Sequence, residues 1–190
     1  MLKEIRCNLF RDTVVTFHEG LNVVLGDQKA SNSIGKSIML MIIDFVFGGD
    51  SYIKTNYDAI AHLGHHEFKF KHEFQEESLY FIRKTDRYKF VSCCDEDYEV
   101  ISEISTDDYK LLIKEKYAID LSFISFRELV GLYSRIWGKK NYDIEKPLQQ
   151  AGVNAKNAVD LVIKMFGKYS GIKAFDDQIT EYQCQSIRIT

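Results

Sequence analysis

Hydrophobic positions in the first 26 residues fall in short runs separated by polar turns, which is the pattern of β structure. Residues 2–9 and 13–17 read as strands, with Arg11-Asp12 turning between them. Glu19-Gly20 turns the chain again into Leu21-Asn22-Val23-Val24-Leu25-Gly26. This run is apolar, β-branched and closed by glycine, so it predicts a buried strand. A polar stretch from Asp27 to Ile34 follows, and Gly35-Lys36-Ser37 then opens the apolar segment 38–47, which Gly48-Gly49 ends. Its length predicts a helix of about three turns with glycine just past its end. Being apolar on nearly all sides, that helix is expected to be buried.

Farther along, residues 67–74 alternate: Phe68, Phe70, His72 and Phe74 share one face, and Glu67, Lys69, Lys71 and Glu73 the other. That alternation predicts a half-buried antiparallel strand. Residues 79–83 and 88–94 continue the meander. Ser105-Thr106-Asp107-Asp108 reads as a helix start with acidic residues in its first turn. Tyr109, Leu112 and Ile113 then follow helical spacing. A second helix is expected from Ser125, with Phe126, Leu129, Val130, Tyr133 and Ile136 on one face. A third is expected from about Asn154, after a polar loop at 139–147 and before Gly167 and Gly171. From Lys173 onward the chain reads as polar and weakly helical, without a core-like stripe.

Composition narrows the class. Hydrophobic residues make up 45% and aromatics 13% of 190 residues, enough for the packed core of one domain or one large lobe. A net charge of −3, from 25 basic and 28 acidic residues, excludes a globally basic nucleic-acid coat but leaves room for a local basic groove. No apolar run reaches the roughly 18 residues of a membrane span, and Met1-Leu2-Lys3-Glu4-Ile5 lacks a signal-peptide pattern. Cys7, Cys93, Cys94 and Cys184 form no paired framework and no metal-ligand spacing, so a reducing cytoplasm is the expected location.

The segment Ala30-Ser31-Asn32-Ser33-Ile34-Gly35-Lys36-Ser37 fits a phosphate-binding loop with alanine at its first position. Its setting, between a predicted buried strand and a predicted buried helix, is the setting such a loop needs. Backbone N–H groups from Asn32 through Ser33, Ile34, Gly35 and Lys36 to Ser37 can wrap a β-phosphate, and the positive end of the following helix points at the same charge. Gly35 lets the backbone come close without a Cβ. Lys36 places an ammonium between β- and γ-phosphates, and the Ser37 hydroxyl ligates Mg²⁺. The alternative is a serine-rich turn capping a helix, with Lys36 merely solvated.

Residues 2–49 resemble the amino-terminal start of the SMC-like ABC ATPases, which include chromosome-maintenance proteins, the RecF and RecN recombination proteins and the double-strand-break repair ATPase. The matching pieces are Asn8-Leu9-Phe10-Arg11, Phe17, Gly20-Leu21-Asn22-Val23-Val24-Leu25-Gly26 and Asn32-Ser33-Ile34-Gly35-Lys36-Ser37. The loop most resembles a bacterial branch often encoded in mobile or phage-defence clusters. The resemblance implies an α/β P-loop NTPase fold, namely an ABC/SMC-type amino-terminal lobe over 1–172 with a mixed and antiparallel sheet. A coiled coil or tail would start at 173–190. It also implies ATP and Mg²⁺ as ligands and places Arg11 near the nucleotide, against the alternative that Arg11 is a simple turn residue. Ala30 and Ser33 depart from the family's glycines, and residues 27–30 read as inserted.

No apolar run ending Asp-Glu, no Leu-Ser-Gly-Gly-type signature and no switch histidine occurs in the sequence. Phosphoryl transfer needs a carboxylate to position water and a signature to clamp the γ-phosphate. The chain is therefore expected to bind ATP and to hydrolyse it only with a carboxy-terminal lobe or a second SMC-like head, as a dimer. DNA and accessory subunits of a repair or anti-phage complex are the further partners the resemblance implies. A non-catalytic interaction module docking on a partner ATPase is the rival class. A small P-loop kinase or GTPase is a third, and the missing base-specificity motifs count against it. His62, His65, His66 and His72 show no regular metal spacing. Lys69, Lys71, Arg83, Lys84, Arg87 and Lys89 offer a basic meander, read as a solvated face more than a phosphate-backbone contact. Arg127, Gln149 and Gln150 carry no assignment.

Overall fold

In the computed structural model, residues 1–24, 34–75, 77–119, 124–133, 155–167 and 169–187 are described. The chain divides into two compact units, Met1–Ile119 and Asp120–Thr190. The first holds β1 (Leu2–Arg6), β2 (Val14–Thr16), α1 (Ile34–Val46), α2 (Ser51–Thr55), α3 (Tyr57–Leu63), β3 (Glu67–Phe74), β4 (Glu77–Lys84), β5 (Phe90–Cys94), β6 (Val100–Ser105) and α4 (Thr106–Lys116). The second holds α5 (Phe126–Tyr133), α6 (Ala155–Met165) and α7 (Tyr169–Ile187). The protein is thus mixed α/β.

The strands form one six-stranded sheet in the order β2-β1-β3-β4-β5-β6. Among the described residues every pairing is antiparallel, where a mixed sheet is expected from the sequence. Short turns join β1 to β2 and β3 through β6, and a tight turn between neighbours can only reverse the strand. The run at 21–26, expected as a buried strand, is not one in its described part. Leu21, Val23 and Val24 are 81%, 61% and 41% exposed and lie outside any strand. An extended run joins a sheet only where another edge meets its N–H and C=O groups, and no described strand pairs with residues 21–24. Residues 25–33, including Leu25 and Gly26, lie outside the described residues.

The β3 alternation appears as expected. Phe68, Phe70 and His72 are buried, and Ile5 and Phe81 flank Phe70 on β1 and β4. The α1 and α4 helices cover this face. Phe45 of α1 lies 5.7 Å from Phe68, and Tyr109 of α4 lies 5.1 Å from Phe81 and 6.1 Å from Phe70, ring centre to ring centre. Edge-to-face rings of this kind add specificity to simple burial. Helix α4 starts where Ser105 predicts, its hydroxyl accepting from the Asp108 N–H at 3.1 Å. Ser125 and Glu128 open α5 as a reciprocal cap, with Ser125 N–H donating to Glu128 at 2.7 Å and Glu128 N–H to the Ser125 hydroxyl at 3.2 Å.

On the opposite face of the sheet, Tyr98 reaches from the β5–β6 turn to β1 and donates its hydroxyl to Glu4 at 3.0 Å. Arg6 and Lys69 lie over its ring, 5.6 and 5.7 Å from the centre. Beneath it, Ile82 and Cys94 make a small second core with Tyr80 beside them.

Two other expectations change. Among the described side chains of α1, full burial is confined to Ile42, Phe45 and Val46, and the rest of its apolar surface is half-buried. The tail is a 19-residue helix, α7. Ile172, Phe175 and Ile179 form an exposed stripe on it at a 3-then-4 spacing, which the intervening polar residues conceal in the average. Residues 121–124 also read as strand-like in the sequence, and 121–123 lie outside the described residues.

His72 is fully buried, with its Nε2 3.3 Å from the Tyr109 hydroxyl. Burial drives its pKa from 6.5 down to about 3, with the nearby amino terminus adding to the effect, so the folded protein holds it neutral. Between these two values the unfolded chain binds the extra proton, so stability is full above pH 6.5 and falls as the pH drops towards 3. Unfolding free energies from urea titrations are expected to fall by up to about 1.4 kcal/mol per pH unit below 6.5, and His72→Leu is expected to flatten that slope. Gly48 sits at φ +86° just past α1, and a Cβ there would meet the Lys110 side chain at 2.8 Å. Gly48→Ala is expected to cost about 1–2 kcal/mol at neutral pH, read as a lower melting temperature.

Candidate functional site

Helix α1 begins at Ile34, so Gly35, Lys36 and Ser37 occupy its first turn. Gly35 is exposed, and among the described residues no heavy atom beyond its chain neighbours and its own helix backbone lies within 4 Å of where a Cβ would stand. Lys36 and Ser37 are half-buried. The first turn of α1 contains no acidic residue. Helices α3, α4 and α5 carry Asp58, Asp107 with Asp108, and Glu128 in their first turns, whereas α2, α6 and α7, like α1, carry no acidic residue there. Helix amino termini carry partial positive charge that carboxylates ordinarily offset. In α1 no carboxylate of the first turn does so, while an ammonium and a hydroxyl lie beside it. Asn32 and Ser33, with the rest of the expected cradle, lie outside the described residues.

The other end of α1 is held by side chains. Arg83 of β4 is 1% exposed and donates from Nη1 to the carbonyls of Phe45 and Gly49, the latter at 2.8 Å. Its Nε donates to the Tyr88 carbonyl at 2.9 Å, and Nη2 donates to the same oxygen. The guanidinium lies 4.0 Å from the centre of the Phe45 ring. Tyr109 adds a bond of 2.9 Å to the Val46 carbonyl, and Thr106 one of 3.2 Å to Tyr88. A cation on the last carbonyls of a helix satisfies orphan acceptors and meets the negative end of the dipole. Reading Arg83 as part of a basic surface is therefore a mistake. Its position two residues after Phe81, on the core face of β4, is the signal that identifies it.

Arg11 lies exposed in the turn between β1 and β2, closed by Cys7 N–H to the Thr13 carbonyl at 3.0 Å. Asn8 and Thr13 of that turn border an open cavity of about 530 Å³, with His65, His66, Lys69 and Lys84 among its other walls. The histidines there are engaged by the fold: His66 Nε2 is 2.8 Å from the Tyr52 hydroxyl, and His65 Nδ1 is 3.3 Å from Thr85. The basic meander is charge-paired. Lys69 and Lys84 both lie 3.8 Å from Glu67, Lys71 lies 3.8 Å from Glu73, and Arg87 lies 2.7 Å from Glu103. That arrangement suits a solvated face.

Among the described residues no group of three His, Cys, Asp or Glu could hold a metal ion. The donor at the site is the Ser37 hydroxyl. A hydroxyl donor fits Mg²⁺ brought with phosphate oxygens and water, which is how that ion is ordinarily bound. Arg127 is half-buried in α5, and Gln149 and Gln150 lie outside the described residues. No described helix is long and apolar enough to cross a membrane. The chain matches no family model, no curated protein and no solved structure.

Proposed function

We propose that the chain is the ATP-binding part of an SMC-like ABC ATPase head. A carboxy-terminal lobe or partner subunit would supply the Walker B carboxylates and the signature motif. The observation that carries this reading is the placement of Gly35-Lys36-Ser37 in the first turn of an apolar helix, with Gly35 exposed. In this reading the amides of the 32–37 loop and the α1 dipole hold the β-phosphate, and Lys36 neutralises charge between the β- and γ-phosphates. Ser37 ligates Mg²⁺, which when bound offsets phosphate charge, and Arg11 lies close to the nucleotide. The exposed Leu21, Val23 and Val24 offer an apolar run before the loop that no described strand pairs with, and a strand of the completing lobe would cover it. The exposed stripe of α7 suits the start of a coiled coil. ATP would clamp two such heads together and couple the clamp to DNA, in repair or in anti-phage defence inside the cell.

The same exposed runs favour a second reading, an interaction module that docks on a partner ATPase without binding nucleotide. A fluorescent ATP analogue with Mg²⁺ separates the two, since the module gives no signal. Lys36→Ala is expected to weaken analogue binding at least about tenfold, or about 1.4 kcal/mol, with the circular-dichroism spectrum retained. Unchanged affinity would sink the ATP-binding reading. Phosphate release by the purified chain alone is expected to stay at the buffer rate, and sustained turnover by the monomer would contradict the need for a second lobe.

A further inference from the structure

Helix α1 is anchored at one end. Its buried side chains, among those described, are Ile42, Phe45 and Val46, all in the carboxy-terminal half. Three carbonyls in and just beyond its last turn, at Phe45, Val46 and Gly49, accept bonds from Arg83 and Tyr109. The amino-terminal half, which carries Lys36 and Ser37, is less deeply packed. At 1.5 Å per residue, Lys36 stands about 14 Å from Phe45 along the axis. A tilt of about 5° at the anchored end therefore carries Lys36 through about 1 Å, which is enough to spoil a charge-assisted contact.

We propose that Arg83 and Tyr109 are positioning residues for the nucleotide site. By fixing the carboxy-terminal carbonyls of α1 they aim its amino-terminal turn at the phosphates. The proposal rests on the ATP-binding reading of that turn. The fork geometry of Arg83 is what matters, because one planar group meets the Phe45, Gly49 and Tyr88 carbonyls together. A lysine keeps the charge and the burial but reaches fewer of these oxygens in fixed directions. Thr106, bound to the same Tyr88 carbonyl, ties the start of α4 to the clamp. The aim of α1 is thus set jointly by β4, the turn after it and α4.

The test is the ratio of ADP to ATP dissociation constants, measured with Mg²⁺ for wild type, Arg83→Lys and Tyr109→Phe. Loss of folded protein lowers both affinities equally and leaves the ratio unchanged, whereas a misaimed Lys36 and Ser37 weaken the γ-phosphate contacts selectively. Both variants are expected to lower the ratio at least about threefold from its wild-type value. Tyr109→Phe keeps its ring in the core and carries the test should Arg83→Lys not fold. A ratio equal to wild type in the folded variants would overturn the positioning role. Absence of any ATP binding by the wild type would instead overturn the reading beneath it, and the proposal with it.

Discussion

A guanidinium buried between a strand and the end of a helix organises the larger unit. Arg83 is costly to bury, and what offsets that cost is a set of carbonyl oxygens at and just beyond the carboxy terminus of α1, that of Phe45 being shared with the Gly48 N–H. Each side solves the other's problem. Because one planar group serves oxygens on α1, on the turn after it and on the β4–β5 turn, those segments cannot shift independently. Gly48 makes the arrangement possible. Its left-handed backbone turns the chain sharply enough for Gly49 to bond back to Asp44 at 2.8 Å while offering its own carbonyl to Arg83.

Much of the unit's plan was legible in its residues. The alternation at 67–74, the cap at Ser105 and the glycine pair after Phe47 each announce a local geometry that tertiary packing then respects. What was not legible depends on partners far away in sequence. Leu21-Asn22-Val23-Val24 has every local mark of a buried strand, yet a strand is a relation between two edges and the second edge is not among the described strands. Strand β6 and helices α2 and α3 escaped notice for the opposite reason. Their signals are weak, and packing, such as Tyr52 against Phe45 at 5.8 Å, supplies what propensity does not.

The candidate site shows the same division. The Gly-Lys-Ser triplet is visible as a pattern and falls where a helix begins. The groups that hold that helix in place were invisible, because a basic residue in a meander of basic residues reads as surface. The face such residues were assigned to is real, but Lys69, Lys71 and Lys84 pair with Glu67 and Glu73 of β3, and its one exceptional member points inward. The charge pattern gives the count of cations, whereas the register decides which of them is structural.

The Tyr98 hydroxyl and the Glu4 carboxylate that meet across the open face of the sheet are 94 residues apart. A contact of that span closes late, after the meander from β3 to β6 exists to carry it. The β1–β2 hairpin leaves the ribosome before β3 to β6 and is marginal alone. It has to wait through three helices before β3 arrives to pair with it, and longer for Tyr98 to fasten it. During synthesis the segment bearing the Gly-Lys-Ser turn therefore emerges before β3 and β4, the strands against which α1 packs.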